Sequence, residues 1–260
     1  MSSVDVPLER GRFGQTARRD LWWLYPLLTF LGLGAFIVYS SWAGMQGKNY
    51  FSAPYLSPMY APLLFGNPGE GAWFGTMPSW MPSFVTAAVL ILWAPGGFRV
   101  TCYYYRGAYY KAFWADPPNC TVGEPRKSYL GERYFPLILQ NIHRYFLYLA
   151  VVFLVLLAYD VYKATRFPNG FGIGVGTLVL LVNVILLGSY TLGCHSLRHL
   201  VGGMIDQFSR HPARKKTWDC VSCLNRRHML FAWLSLFWVG FSDLYVRMCA
   251  MGIWTDWRIL

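Results

Sequence analysis

Seven of the eleven cysteines and histidines fall in two short stretches, Cys194, His195 and His199, then His211, Cys220, Cys223 and His228. A third stretch adds Cys102, Cys120 and His143, which leaves only Cys249 outside the pattern. Thiolate and imidazole are the side chains that bind soft and borderline transition metals, so a metal centre is the first chemistry these residues suggest. His195 and His199 are spaced i, i+4 and share one helical face. Cys220-Val-Ser-Cys223 has the spacing of zinc and iron sites, in a single copy. Taken singly, each residue has a plainer role: a cysteine packs as a small hydrophobe, and a histidine serves as a hydrogen-bonded interfacial group. The grouping of nine of them is what favours a centre.

The elements that position these residues are membrane helices. The chain has 260 residues, 55% of them hydrophobic and 13% charged, too apolar for an ordinary soluble domain. Residues 21–47, 71–98 and 167–197 carry no Asp, Glu, Lys or Arg, and each stretch is long enough to cross about 30 Å of hydrocarbon as a helix. Two further spans are interrupted by charge, at Arg144 and Asp160 and at Arg227 and Asp243. The expected fold is all-α, a single membrane-anchor domain over residues 1–260 with helices at about 21–44, 80–104, 138–162, 172–200 and 226–250. The first span is too long for a cleaved signal sequence and lacks a cleavage site.

Eighteen lysines and arginines fall on one face, in the N-terminal arm (Arg10, Arg12, Arg18 and Arg19) and the connections 99–144 and 198–227, against five on the other. That asymmetry places the N-terminus of a multi-pass membrane protein in the cytoplasm. The net charge of +11 suits anionic lipid or an acidic soluble partner, and no nucleic-acid motif accompanies it. The Cys and His residues named above, other than His211, then gather at the cytoplasmic ends of helices two to five.

The external stretch at about 45–80 is rich in aromatic residues, Gly and Pro, as in an interfacial cap. Trp93-Ala-Pro-Gly-Gly-Phe98 is expected to kink or break the second helix before Arg99. The run Tyr103-Tyr-Tyr-Arg106 continuing to Trp114 is either an interfacial belt, a docking face for a soluble subunit, or the mouth of a pocket for an amphiphilic head group such as a quinone. Tyr103, Arg106, Trp114 and Arg144 are the residues expected to hold such a head group. Asp243 and Arg247 are spaced to pair on the last helix as a structural ion pair.

Haem b requires two axial imidazoles and room for a macrocycle, whereas an iron–sulfur cluster requires thiolates, two Cys and two His in the Rieske kind. A bis-histidine haem leaves the cysteines unexplained; a mixed cluster uses both residue types. The competing class is a purely structural anchor or a small transporter, against which the chain shows no inverted repeat.

Phe98-Arg-Val-Thr-Cys-Tyr-Tyr-Tyr-Arg106, Phe135-Pro-Leu-Ile-Leu-Gln-Asn-Ile-His-Arg-Tyr145, Gly193-Cys-His-Ser-Leu-Arg-His199 and Asp243-Leu-Tyr-Val-Arg247 resemble the cytochrome b-like membrane anchor of the actinobacterial, three-subunit type of succinate dehydrogenase, over most of the chain from about residue 50. The resemblance implies flavoprotein and iron–sulfur subunits as partners, electron transfer to quinone as substrate, and a membrane-embedded Rieske-type [2Fe-2S] cluster, with haem b the alternative. It implies a member of a succinate:quinone oxidoreductase that does not itself oxidise succinate, consistent with the lack of a dinucleotide-binding Gly-rich turn. Cys102 and Cys120 rank first as thiolates, Cys220 next, Cys223 and Cys194 behind. His143, His195, His199 and His228 are the imidazoles. The Cys-x-His and Cys-x-x-His loops of soluble Rieske domains do not occur here.

Overall fold

The computed structural model describes residues 11–126, 133–135 and 137–260; Arg10, Lys127 and Pro136 of the stretches above lie outside them. Among the described residues the chain is mostly helical. The helices are α1 (Leu24–Gln46), α2 (Ala87–Val100), α3 (Tyr103–Phe113), α4 (His143–Lys163), α5 (Val175–Leu192), α6 (His195–Gly202), α7 (Pro212–Asn225) and α8 (His228–Ala250). Two antiparallel hairpins have strands of only two residues each, Phe51–Ser52 with Tyr55–Leu56 and Arg166–Phe167 with Gly170–Phe171.

Four helices are long and apolar enough to cross a membrane: Leu24–Gln46, Leu137–Lys163, Val175–Leu192 and His228–Ala250. The expected helix at 80–104 differs. It starts only at Ala87, where Thr86 caps it by accepting from the Val89 N–H at 3.3 Å. It ends at Val100, and its 14 residues give about 21 Å of length. Pro95 lies inside α2 and does not end it. The break comes at Thr101–Cys102, after which α3 begins. The expected helix at 172–200 is likewise two helices, because Gly193 and Cys194 interrupt it: any Cβ at Gly193 would press on the Ser189 carbonyl and on Leu224. The connection 198–227, expected as a loop, holds α7, with Pro212 in the first turn where its missing N–H costs nothing.

The chain divides into two compact units. The first comprises residues 1–35 and 102–140. In it the N-terminal arm lies on the segment after α3, with Gly14 N donating to Gly123 O at 2.9 Å and Gly123 N to Gln15 O at 2.9 Å. Arg18 adds bonds to Asn119 Oδ1 at 3.0 Å and Cys120 O at 3.1 Å.

The second unit comprises residues 36–101 and 141–260. Its aromatic cap is ordered as expected: Tyr50, Tyr55 and Tyr60 are buried, and Tyr50 stacks on Tyr60 at 4.4 Å. Trp73 and Trp80 stay exposed. The expected Asp243–Arg247 pair forms in its core, with Arg247 Nε donating to Asp243 Oδ2 at 2.7 Å and both side chains almost inaccessible. Arg247 also donates to Lys48 O at 3.0 Å and Ala43 O at 2.8 Å, and lies over the Trp42 ring. Tyr39 OH donates to Asp243 Oδ2 at 2.6 Å, and Ser57 OH to Oδ1. Each nitrogen of the guanidinium and each oxygen of the carboxylate thereby has a partner, and the pair ties α8 to the end of α1 and to the cap.

Removing one member leaves the other charge buried without its partner. Asp243→Ala is expected to cost about 3–5 kcal/mol, seen as a lower thermal midpoint of the purified complex in detergent. Replacing both residues by apolar ones of similar volume is expected to recover most of that loss in the same measurement.

Candidate metal centre

The site in the second unit begins with Thr101, the residue at which α2 stops. Its amide and its hydroxyl both donate to Gly97 O, at 3.0 and 2.7 Å. Having given its only proton away, the hydroxyl oxygen accepts from His143 Nδ1, 2.8 Å distant. This sets the His143 tautomer and leaves the Nε2 lone pair facing Cys194 Sγ at 3.1 Å. His143 opens α4 and Cys194 precedes α6, so three helix ends build one buried thiol–imidazole pair. An imidazole whose second nitrogen is held by a hydrogen bond is the usual arrangement of a metal-ligating histidine.

Aromatic rings enclose the pair. Phe98 stacks on His143 at 4.7 Å and meets Tyr190 edge-on at 5.4 Å, and Tyr190 in turn stacks on His228 at 4.9 Å. The Arg99 guanidinium lies 4.8 Å from the Tyr190 centroid and donates to Ser235 Oγ at 3.0 Å and Ala232 O at 3.3 Å. Gly97 is needed here because a Cβ would overlap the Phe146 ring of α4. Beside this cluster is a cavity of about 170 Å³, lined by apolar side chains with Arg99, Tyr190, Thr191 and Ser40 as its polar groups.

The other expected ligands are distributed differently. Cys120 is exposed in the first unit, and Cys220 and Cys223 are exposed on α7. His195 and His199 are exposed on α6 and face each other, Nε2 to Nε2, at 3.0 Å. Partial desolvation, with His199 and Arg198 adding to it, holds the His195 pKa below its usual value. Cys102 is buried in the first unit, where it precedes α3 with φ −63° and ψ 131°. Cys194, ranked behind it from the sequence, has the same local geometry, with φ −66° and ψ 140°. The signal for Cys194 was present in Gly193, which stops α5 one residue before it. Among the described residues no group of three or more His, Cys, Asp or Glu is gathered closely enough to enclose a metal ion unaided.

Of the residues expected at a quinone, Tyr103 is exposed beneath the Arg106 guanidinium at 4.6 Å. Trp114 is met edge-on by Tyr109 and Tyr110, at 5.4 and 5.3 Å. Arg144 is exposed at the start of α4. None of the four lines the cavity.

Known proteins give a consistent answer. The family model for actinobacterial succinate dehydrogenase subunit SdhC matches residues 24–252. A chain of the solved Mycobacterium smegmatis Sdh1 complex in the apo form is 44% identical and is covered, like this chain, over 100% of its length, with a TM-score of 0.90. Among curated proteins none matches.

Proposed function

Because the chain belongs to the family of actinobacterial succinate dehydrogenase subunit SdhC, we propose that it anchors the flavoprotein and iron–sulfur subunits of that complex in the bacterial plasma membrane. In this reading it also holds a Rieske-type [2Fe-2S] cluster between them and quinone. The observation that carries it is the buried contact of His143 Nε2 with Cys194 Sγ at 3.1 Å, its tautomer set by Thr101.

The residues present fit such a group in donor type. Cys194 is the buried cysteine of the second unit and stands at a helix N-terminus, whose partial positive charge would offset that of a thiolate. His143 and His228, joined through the Phe98 and Tyr190 rings, are the imidazoles. When bound, a cluster of this kind takes up and passes on one electron at a time. Thr101 holds the His143 proton on Nδ1, and Phe98 and Tyr190 keep water from the imidazoles. Arg99 contributes a fixed positive charge against Tyr190. A bis-histidine haem is less well served, since Cys194 already occupies the space in front of Nε2.

For quinone, the cavity supports a site that differs from the expected one. Its volume of about 170 Å³ is below the roughly 300–1,000 Å³ of sites for whole drug-sized ligands, and suits a ring rather than an isoprenoid tail. Arg99 and Tyr190 are the groups there that donate to a carbonyl. Tyr103 and Arg106 then belong to the face that meets the soluble subunits. A cytoplasmic N-terminus and a fifth span built on α2 complete the proposed topology.

Low-temperature electron paramagnetic resonance of the dithionite-reduced complex tests the centre. A rhombic cluster signal is expected to vanish in Cys194→Ser and His143→Ala and to persist in Cys220→Ser and Cys223→Ser. Quinone reduction should be lost in the first two variants while succinate oxidation by a soluble dye continues. A signal that survives Cys194→Ser, or haem bands in the visible spectrum, would reject the assignment.

Thr101→Val keeps the shape and removes the hydroxyl. The cluster should then be held roughly 10–100-fold less tightly against a chelator than in the parent, the range of affinity lost when an outer hydrogen bond to a ligating histidine is removed.

A further inference from the structure

His195 and His199 remain outside the centre just described. They occupy successive turns of α6, both exposed, with ring centroids 4.4 Å apart, planes at 79° and Nε2 atoms 3.0 Å apart. A metal ion bound by two imidazoles at about 2.0–2.1 Å holds their nitrogens about 2.9 Å apart at a right angle and about 3.4 Å apart at the tetrahedral angle. The observed separation falls inside that range. The i, i+4 spacing is also that of the two histidines in helical zinc motifs.

The helix beneath the pair is held firmly. Gly203 N donates to His199 O at 2.7 Å, and Arg214 reaches from α7 to Val201 O at 2.8 Å and Gly203 O at 3.1 Å. Arg198, the cation between the two histidines, is drawn onto α7, where it donates to Ser222 Oγ at 3.1 Å and lies 4.7 Å from the Trp218 ring. Both imidazoles are thus presented to solvent on a backbone fixed at its far end.

We propose that His195 and His199 form a two-point clasp for a borderline divalent transition metal ion of the zinc class, separate from the Cys194–His143 pair. Two neutral imidazoles in this arrangement share one proton between their Nε2 atoms. On binding, that proton moves through solvent to the Nδ1 of the same ring, both Nε2 lone pairs coordinate the ion, and water fills the remaining positions. No electron is transferred and no net proton is released. Hard cations such as Mg²⁺ and Ca²⁺ prefer oxygen ligands and are not expected to bind.

The test is a zinc titration of the purified complex against a chromophoric indicator. The Cys220→Ser/Cys223→Ser double variant serves as background, so that the exposed thiols on α7 do not compete. One additional zinc per chain is expected, weakened roughly 100-fold by either His195→Gln or His199→Gln, because each variant forfeits the gain from two-point attachment. Mg²⁺ should not displace it, and the cluster signal and dye reduction should be unchanged in both variants. Unaltered zinc affinity in the histidine variants overturns the clasp, as does zinc binding confined to the parent with its α7 thiols. Loss of the cluster signal in His199→Gln would place these histidines in the redox centre and overturn a separate site.

Discussion

A guanidinium enters an apolar helix bundle at low cost only where acceptors meet it, and the second unit is organised around two that are so met. Removing such a charge from water costs several kcal/mol, which is recovered only with good geometry and further hydrogen bonds. Arg247 meets this with Asp243, two backbone carbonyls and the Trp42 ring. Arg99 meets it with Ser235, the Ala232 carbonyl and the Tyr190 ring. Ala232 and Arg247 are both on α8, and their separation of 15 residues spans about 22 Å. The two arginines therefore fix α8 near its two ends, one against the cap and the end of α1, the other against the end of α2. The cluster around Tyr190 inherits its rigidity from the second of these anchors.

A related constraint explains the cysteines. Irregular backbone at membrane depth is tolerated only where protein covers it. Among the described residues two breaks between successive helices have the same construction: α2 stops at Val100 and α3 starts after Cys102, and α5 stops at Leu192 and α6 starts after Cys194. At each one the cysteine takes the extended conformation between two helices and is buried. A small, apolar side chain suits that position, which is the packing account of both residues. The same place also puts each thiol before a helix N-terminus.

Much of this was legible from the sequence. Uncharged runs gave the long helices at 24–46 and 175–192, and apolar stretches bounded by Arg144 and Asp160 and by Arg227 and Asp243 gave those at 143–163 and 228–250, because lipid tolerates little else over such lengths. The i, i+4 spacing of Asp243 and Arg247 gave the ion pair. Helix ends were the hard part. Pro95-Gly96-Gly97 reads as a kink or stop, yet α2 runs through it, and Gly97 lets the Phe146 ring of α4 come close. The stop falls instead at Thr101, after which the chain turns extended at Cys102, a step that no periodicity reveals. Burial of the thiols was hidden in the same way: the sequence ranks Cys102 and Cys120 first and Cys194 behind Cys220, whereas the structure buries Cys102 and Cys194 and leaves Cys120, Cys220 and Cys223 exposed.

The four histidines of the site region differ in environment, although sequence alone treats them alike. His143 and His228 are packed against Phe98 and Tyr190, whose rings exclude water and fix orientation. His195 and His199 have solvent on one side and each other as partners. A buried imidazole beside a thiol suits a centre whose potential depends on a dry, defined shell. An exposed pair suits an ion that exchanges with solution and keeps water ligands. Cys194 and His195 are neighbours in the chain, yet the single step from extended residue to helix turns one inward and the other outward. That step, set by Gly193, separates the two kinds of chemistry at one end of one helix.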